Sequence, residues 1–110
     1  MNFVDMLHRA QLKKAGFVQE GDWNFLKGDF IVEMYRNTVF VNQVVHDLTN
    51  DHTERASYRI PLISTDKGFE SYKYRDIPPK KVIEWLCGDL TKLEMNVMNY
   101  FLTKSLEVLD

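Results

Sequence analysis

Apolar and polar residues alternate along residues 23–45, which predicts a three-stranded antiparallel meander. Gly28-Asp29 suits a two-residue hairpin loop, because glycine adopts positive φ without steric cost. The resulting register pairs Lys27 with Phe30, Phe25 with Val32 and Trp23 with Met34. The second turn falls at Arg36-Asn37 or Asn37-Thr38, and both choices give the same face. That face collects Trp23, Phe25, Phe30, Val32, Met34, Val39, Val41 and Val45.

Helical spacing predicts a helix at each end of the chain. Residues 2–15 read as an amphipathic helix that Asn2 caps and Gly16 follows. Its apolar positions are Phe3, Met6, Leu7 and Ala10. A short helix starts after Asp76 to Pro79 and contains Val82, Ile83, Trp85 and Leu86. Asp89 is a suitable cap for a long final helix over residues 90–109.

Between the meander and these last helices, the pattern predicts two further strands. Ser57 to Ile63 alternates, and Pro61 makes it an edge strand or one with a bulge, because proline cannot donate to a ladder. Phe69 to Arg75 alternates as a fifth strand. Asp47 to Arg55 is polar and forms a loop or a short helix. The predicted fold class is therefore α+β, with an antiparallel sheet of about five strands (the meander plus a hairpin) packed on one face by the terminal helices.

The final helix carries two apolar stripes about 150° apart, given ~100° per residue. The first consists of Leu90, Leu93, Val97, Tyr100, Phe101 and Val108, and the second of Met95, Met98, Leu102, Leu106 and Leu109. One stripe can cover the sheet. The other stripe needs another helix or another subunit to cover it.

Composition indicates one globular domain and does not point to a particular class of function. The 110 residues are 45% hydrophobic and carry a net charge of -2. A single cysteine fits a reducing compartment, and no run is apolar enough for a membrane span or typical of a secretory signal, so we expect a cytoplasmic protein. Charge is uneven: residues 55–81 hold 7 basic and 3 acidic side chains.

That basic segment suggests a nucleic-acid surface. Arg59, Tyr72, Lys73 and Arg75 combine rings that stack on bases with cations that neutralise phosphates. Strand alternation separates the rings from the cations, however, and the chain has no RNP-like or GxxG signature. Nucleic-acid binding is therefore an alternative function, not the leading one.

Two other kinds of chemistry find less support. His46 and His52, with nearby carboxylates, offer ligands for zinc, manganese or iron, which would suit a metal-dependent enzyme. Their H-x5-H spacing matches no ligand motif, and a third anchor is not evident. Cys87 lies near a helix C-terminus, where the dipole disfavours a thiolate. We therefore predict no cofactor, metal or catalytic residue.

The leading hypothesis is a non-enzymatic protein that binds or sequesters a protein partner, with a homodimer as one form. The meander's second face and the second stripe leave apolar surface that one core layer does not need. The residues predicted to bind the partner are Leu26, Ile31, Tyr35, Phe40, Met95, Met98 and Leu102. The order of elements is similar to the layout of small acidic secretion chaperones and of some toxin-immunity proteins, which implies an inhibitor, immunity or chaperone-like role.

Overall fold

The computed structural model describes residues 2–36, 38–48, 55–67 and 76–109, which form an antiparallel five-stranded sheet with helices before and after it. The elements are α1 (Phe3–Lys14), β1 (Val18–Glu20), β2 (Asn24–Lys27), β3 (Phe30–Tyr35), β4 (Thr38–Leu48), β5 (Arg55–Ser64), α2 (Pro79–Leu86), a 3₁₀ turn (Leu90–Lys92) and α3 (Leu93–Leu109). The strands lie side by side in chain order. The predicted α+β class is confirmed.

The β2–β3 hairpin has the predicted register. Lys27 pairs with Phe30 and Phe25 with Val32, and Gly28 has a φ of 57° in the loop. The turn between β3 and β4 lies at residues 36–37, the first of the two predicted positions, because Tyr35 pairs with Thr38. Arg36 there has a φ of 56°.

Trp23 departs from the prediction that it lies on the buried face. Its carbonyl accepts from the Met34 amide at 2.8 Å, as the register requires, but β2 begins only at Asn24 and the Trp23 side chain is 53% exposed. The indole ring instead meets Tyr35 edge-on, with ring centroids 5.1 Å apart. Alternation therefore does not extend into the turn before the strand.

The described sheet has five strands, in line with the predicted number, but one of them is not a predicted strand. Val18–Glu20 forms β1 and pairs with β2, although the alternation that predicts the meander starts only at residue 23. The predicted fifth strand, residues 69–75, lies outside the described residues. The polar connection is shorter than expected, because β4 runs to Leu48 and β5 starts at Arg55.

Pro61 sits in a bulged terminal strand of the described sheet, as its chemistry requires. Val41 pairs with Ile63 and Asn42 with Pro61, so Leu62 is the extra residue of the bulge. Among the strands that the structure describes, β5 pairs with β4 alone. The bulge, one of the two alternatives expected of this strand, is confirmed.

The core lies between one face of the sheet, called here the inner face, and the helices. The sheet contributes Phe25, Val32, Met34, Val39, Val41 and Ile63. The helices and connections contribute Leu12, Phe17, Ile77, Val82, Ile83, Leu86 and Leu93. Helix α2, which has Pro78 at its N-cap position and Pro79 in its first turn, contacts both α1 and α3.

Helix α1 is capped by Asn2 and followed by Gly16 as predicted, but it packs on the opposite side from the one its apolar spacing suggests. Asp5, His8, Arg9 and Leu12 are its buried residues. Phe3, Met6, Leu7 and Ala10 are exposed, with Phe3 at 78%. The cause is Arg9, whose guanidinium anchors the helix to the end of the β2–β3 hairpin.

Arg9 makes three hydrogen bonds and one ring contact. Its Nε donates to Asp5 Oδ2 at 3.2 Å, and its two terminal nitrogens donate to the Asp22 and Met34 carbonyls, the latter at 3.2 Å. The guanidinium carbon also lies 5.6 Å from the Phe25 ring centre. Four partners fix the helix with its charged side inward.

Candidate interaction surface

The two stripes of α3 differ sharply in burial. Leu93 of the first stripe is buried, and Leu90, Val97, Tyr100 and Phe101 pack partly against the core. The second stripe faces solvent, with four side chains 60–64% exposed: Met95, Met98, Leu102 and Leu106. Neither α1 nor α2 covers it. The side chains of Val108 and Leu109 lie outside those described.

Beside this stripe, α3 and the inner face of the sheet enclose an open groove of about 920 Å³. One wall is α3, including Val97, Met98, Phe101 and Leu102. The other wall is the sheet, including Phe30, Gln43, Ile60 and Leu62. Met98 and Leu102 belong to both the stripe and the groove, so the two form one continuous surface, called here the α3 surface.

The groove exists because the helical layer covers only part of the sheet. Phe25, Val32, Val41 and Ile63 form a fully buried row across β2 to β5. The next row, Phe30, Gln43 and Ile60, is only half-buried and lines the groove. Beyond it, Tyr58 opposite Val45 is exposed. Burial therefore falls along the β4–β5 hairpin.

The exposed stripe itself carries no charged side chain. Lys104 pairs with Glu107 at 3.6 Å and lies 5.7 Å from the Tyr100 ring centre, so this ion pair stays near the first stripe. Glu94 is the charged residue that lines the groove. From Leu102 to Glu107 every side chain is exposed, so the end of α3 is accessible on all sides.

The outer face of the sheet, predicted as a second contact surface, is arranged as expected. Leu26 pairs with Ile31, and Phe40 with Glu33, all on that face. These side chains are half-buried by their neighbours, whereas Tyr35 is exposed. Glu33 and Arg59 form an exposed ion pair at 3.4 Å across it. This face therefore carries an ion pair, whereas the exposed stripe of α3 consists of Met and Leu side chains.

A third apolar patch is one that sequence reasoning missed. Phe3, Val4, Met6 and Leu7 are exposed on the first turns of α1. Their spacing is visible in the sequence, but it indicates the buried side of the helix. An arginine four residues after an aspartate, a pair that can be buried together, is the signal that could have reversed that interpretation.

The alternative sites are partly outside the described residues. Arg59 is exposed and paired with Glu33, while Tyr72, Lys73 and Arg75 lie outside the described residues, so this group stays a prediction. His46 Nδ1 lies 2.8 Å from Ser57 Oγ, and His52 is likewise not described. Within the described ranges, no group of three or more His, Cys, Asp or Glu side chains could hold a metal ion.

Cys87 follows the last turn of α2, as predicted, and its Sγ donates to the Gln11 carbonyl at 3.6 Å. Burial raises the pKa of the Cys87 thiol, against a smaller opposing effect of the Lys27 charge. The thiol form is therefore favoured at neutral pH.

The α3 surface combines a groove between a helix and a sheet with exposed Met and Leu side chains along its rim, and apolar grooves of this kind are a common docking site for amphipathic helices. Methionine side chains adapt to irregular partners.

No helix in the described part of the chain is long and apolar enough to cross a membrane. No protein family, characterised protein or solved structure matches this chain.

Proposed function

We propose that this protein is a non-enzymatic binding protein whose α3 surface takes up an apolar helix of a protein partner. The observation that carries the proposal is the exposed stripe of Met95, Met98, Leu102 and Leu106 beside an open groove. Inhibition, immunity and chaperoning are the roles that such sequestration serves. The outer sheet face, with Leu26, Ile31, Tyr35 and Phe40, is the secondary contact surface.

Energetics favour use of the stripe and the groove together. Full burial of a Leu or Met side chain is worth about 1.5–3 kcal/mol, so covering the exposed 60–64% of each stripe residue contributes roughly 1–2 kcal/mol. The four side chains then supply about 4–8 kcal/mol. Association itself costs ~4–15 kcal/mol, so burial of the stripe offsets this cost only toward the low end of that range. A partner helix must also enter the groove.

Capture of partners by matched variants tests the proposal. Wild-type protein, Leu102→Asp and Thr103→Asp are immobilised and exposed to nuclease-treated lysate of the source organism, and bound proteins are identified by mass spectrometry. Leu102 lines the groove, whereas the neighbouring Thr103 is exposed and does not line it. Thr103→Asp thus introduces the same charge one residue along the helix.

We expect one or a few proteins to be retained by wild type and Thr103→Asp and lost from Leu102→Asp. Retention that is equal on all three would assign binding to another surface. Co-purifying nucleic acid in untreated samples, with a salt-dependent gel shift, would instead favour the basic segment 55–81.

A further inference from the structure

We infer that Met95 and Met98 make binding at the α3 surface sensitive to oxidation, because a peroxide converts their exposed thioethers to sulfoxides and so weakens the grip on the partner. The inference rests on the proposed function and adds a means of regulating it. It follows from the exposure of the two methionines, from their place on the stripe and from the chemistry of the sulfoxide.

A peroxide can reach both methionines in the folded protein. Met95 is 62% exposed and Met98 is 60% exposed, and they lie on the same side of α3, separated by three residues or ~4.5 Å of helix rise. Met34, by contrast, is only 1% exposed and belongs to the core between the sheet and the helices. Oxidation of the folded chain therefore reaches the α3 surface before it reaches the core.

The reaction transfers one oxygen atom to sulfur. The thioether sulfur attacks one oxygen of hydrogen peroxide, the O–O bond breaks, and the products are a sulfoxide and water. Sulfur loses two electrons and the peroxide gains them. Methionine sulfoxide reductases reverse the step. In that reaction two thiols supply two electrons and two protons as they form a disulfide, and the sulfoxide oxygen leaves as water.

A sulfoxide weakens the apolar contacts that the stripe offers. It turns a flexible apolar side chain into a polar one, and its oxygen loses hydrogen bonds to water when an apolar partner covers it. Met95 and Met98 are two of the four exposed stripe residues, and Met98 also lines the groove. Covering the exposed part of one methionine corresponds to a factor of about 5–30 in affinity. Oxidation of both should therefore weaken binding at least about 10-fold.

The same reaction leaves the fold in place. Neither Met95 nor Met98 belongs to the core or packs against it, so their sulfoxides stay hydrated in the free protein. Met6 provides an internal comparison, because it is 56% exposed on α1 and does not line the groove. Oxidation of Met6 should leave binding at the α3 surface unchanged.

Peptide mass spectrometry after brief exposure to hydrogen peroxide tests which methionines react. A Cys87→Ser background removes the free thiol, which peroxide also oxidises. Met95 and Met98 should each gain one oxygen well before Met34 does, and circular dichroism should show that the oxidised protein is still folded. Oxidation of Met34 as fast as that of Met95 and Met98 would overturn the inference, and so would unfolding that accompanies oxidation of these two.

Competition for captured proteins measures the effect on binding. Immobilised protein in the same background is exposed to nuclease-treated lysate of the source organism, with soluble protein, untreated or oxidised, as the competitor. The readout is the competitor concentration that halves capture of the proteins that Leu102→Asp fails to retain. This concentration should rise at least about 10-fold on oxidation. Treatment of the oxidised competitor with methionine sulfoxide reductases and a thiol should restore the original value.

Leucine variants assign the effect to particular methionines, since leucine has a similar volume and no sulfur. The double variant Met95→Leu, Met98→Leu should compete about as well as the parent protein and lose no affinity on peroxide treatment. Met6→Leu is the matched control and should lose as much affinity as the parent. A double variant that remains sensitive to peroxide, or a Met6→Leu variant that becomes insensitive, would overturn the inference.

Failure of this inference and failure of the proposed function give different results. Capture that is lost from Leu102→Asp but unaffected by oxidation of Met95 and Met98 would overturn the inference and leave the proposed function standing. Capture that is equal on wild type and Leu102→Asp would overturn both.

Discussion

Replacing Arg9 with methionine should strongly destabilise the protein, because Arg9 is the buried cation that holds α1 against the sheet. Its guanidinium and the Asp5 carboxylate form a pair whose side chains are 11% and 8% exposed, with Nε and Oδ2 3.2 Å apart. It also donates to the Asp22 and Met34 carbonyls. Methionine keeps much of the length of the side chain and provides none of these donors.

The loss of stability follows from the buried Asp5 carboxylate, which the substitution leaves without its partner. Asp5 Oδ1 is already buried without a hydrogen-bond partner, so loss of Arg9 leaves the whole carboxylate uncompensated. Breaking a buried ion pair by removing one partner costs about 3–5 kcal/mol. Total stabilities of small domains are ~5–15 kcal/mol, so this is a large fraction. For a domain of this size, it corresponds to a fall in Tm of roughly 12–20 °C.

Urea unfolding followed by tryptophan fluorescence measures this free energy. Lys14→Met on the exposed side of the same helix is the control, expected to change stability by less than about 0.5 kcal/mol. The double variant Asp5→Leu, Arg9→Met removes both charges and should recover much of the loss. An Arg9→Met variant within ~1 kcal/mol of wild type would refute the reasoning. So would a double variant as unstable as the sum of the two single ones.

Two further predictions concern the pH dependence and the hairpin. Burial lowers the pKa of His8, with the Asp5 charge opposing it more weakly, so the folded protein favours the neutral imidazole. The free energy of unfolding should then fall as the pH drops from 7 through the unfolded-state pKa of about 6.5 toward the lower folded-state pKa. This fall should be smaller in His8→Gln. Urea unfolding at several pH values measures both profiles. A His8→Gln profile as steep as that of wild type would contradict the assignment. Gly28→Ala should cost about 1–2 kcal/mol in the same assay, because φ is 57° and nothing lies within 4 Å of an added Cβ, so the cost is conformational. Gly28→Asn should cost less, since asparagine tolerates this region, and equal losses for both variants would point to a steric cause instead.

The hairpin is predictable from sequence because two local signals agree there. Gly28 fixes the loop, and the alternation on both sides fixes which residues share a face. The caps Asn2 and Asp89 are equally local, and both accept hydrogen bonds from nearby backbone N–H groups. Such features depend on residues within one or two turns of each other.

The misassigned features depend on contacts between distant segments. The orientation of α1 is decided by Arg9 bonding to carbonyls 13 and 25 residues away, and helical periodicity contains no information about them. Strand β1 has only three residues, too few to show alternation, and exists because β2 offers an edge.

The candidate surface is half predictable for the same reason. Helical spacing alone separates the two stripes of α3 and assigns Met98 and Leu102 to the same one. It does not indicate which stripe faces solvent, nor that a groove lies between α3 and Ile60, because both depend on where the helix lies on the sheet.

Methyl NMR of methionine most directly tests whether the α3 surface is where this protein binds its partner. Met95 and Met98 lie on the exposed stripe, Met34 is buried in the core, and Met6 is exposed on α1. On addition of a protein captured from the lysate, the methyl resonances of Met95 and Met98 should shift, while those of Met34 and Met6 should stay in place. Binding that shifts Met6 and leaves Met95 and Met98 unchanged would contradict the account, and so would binding that shifts no methionine methyl resonance.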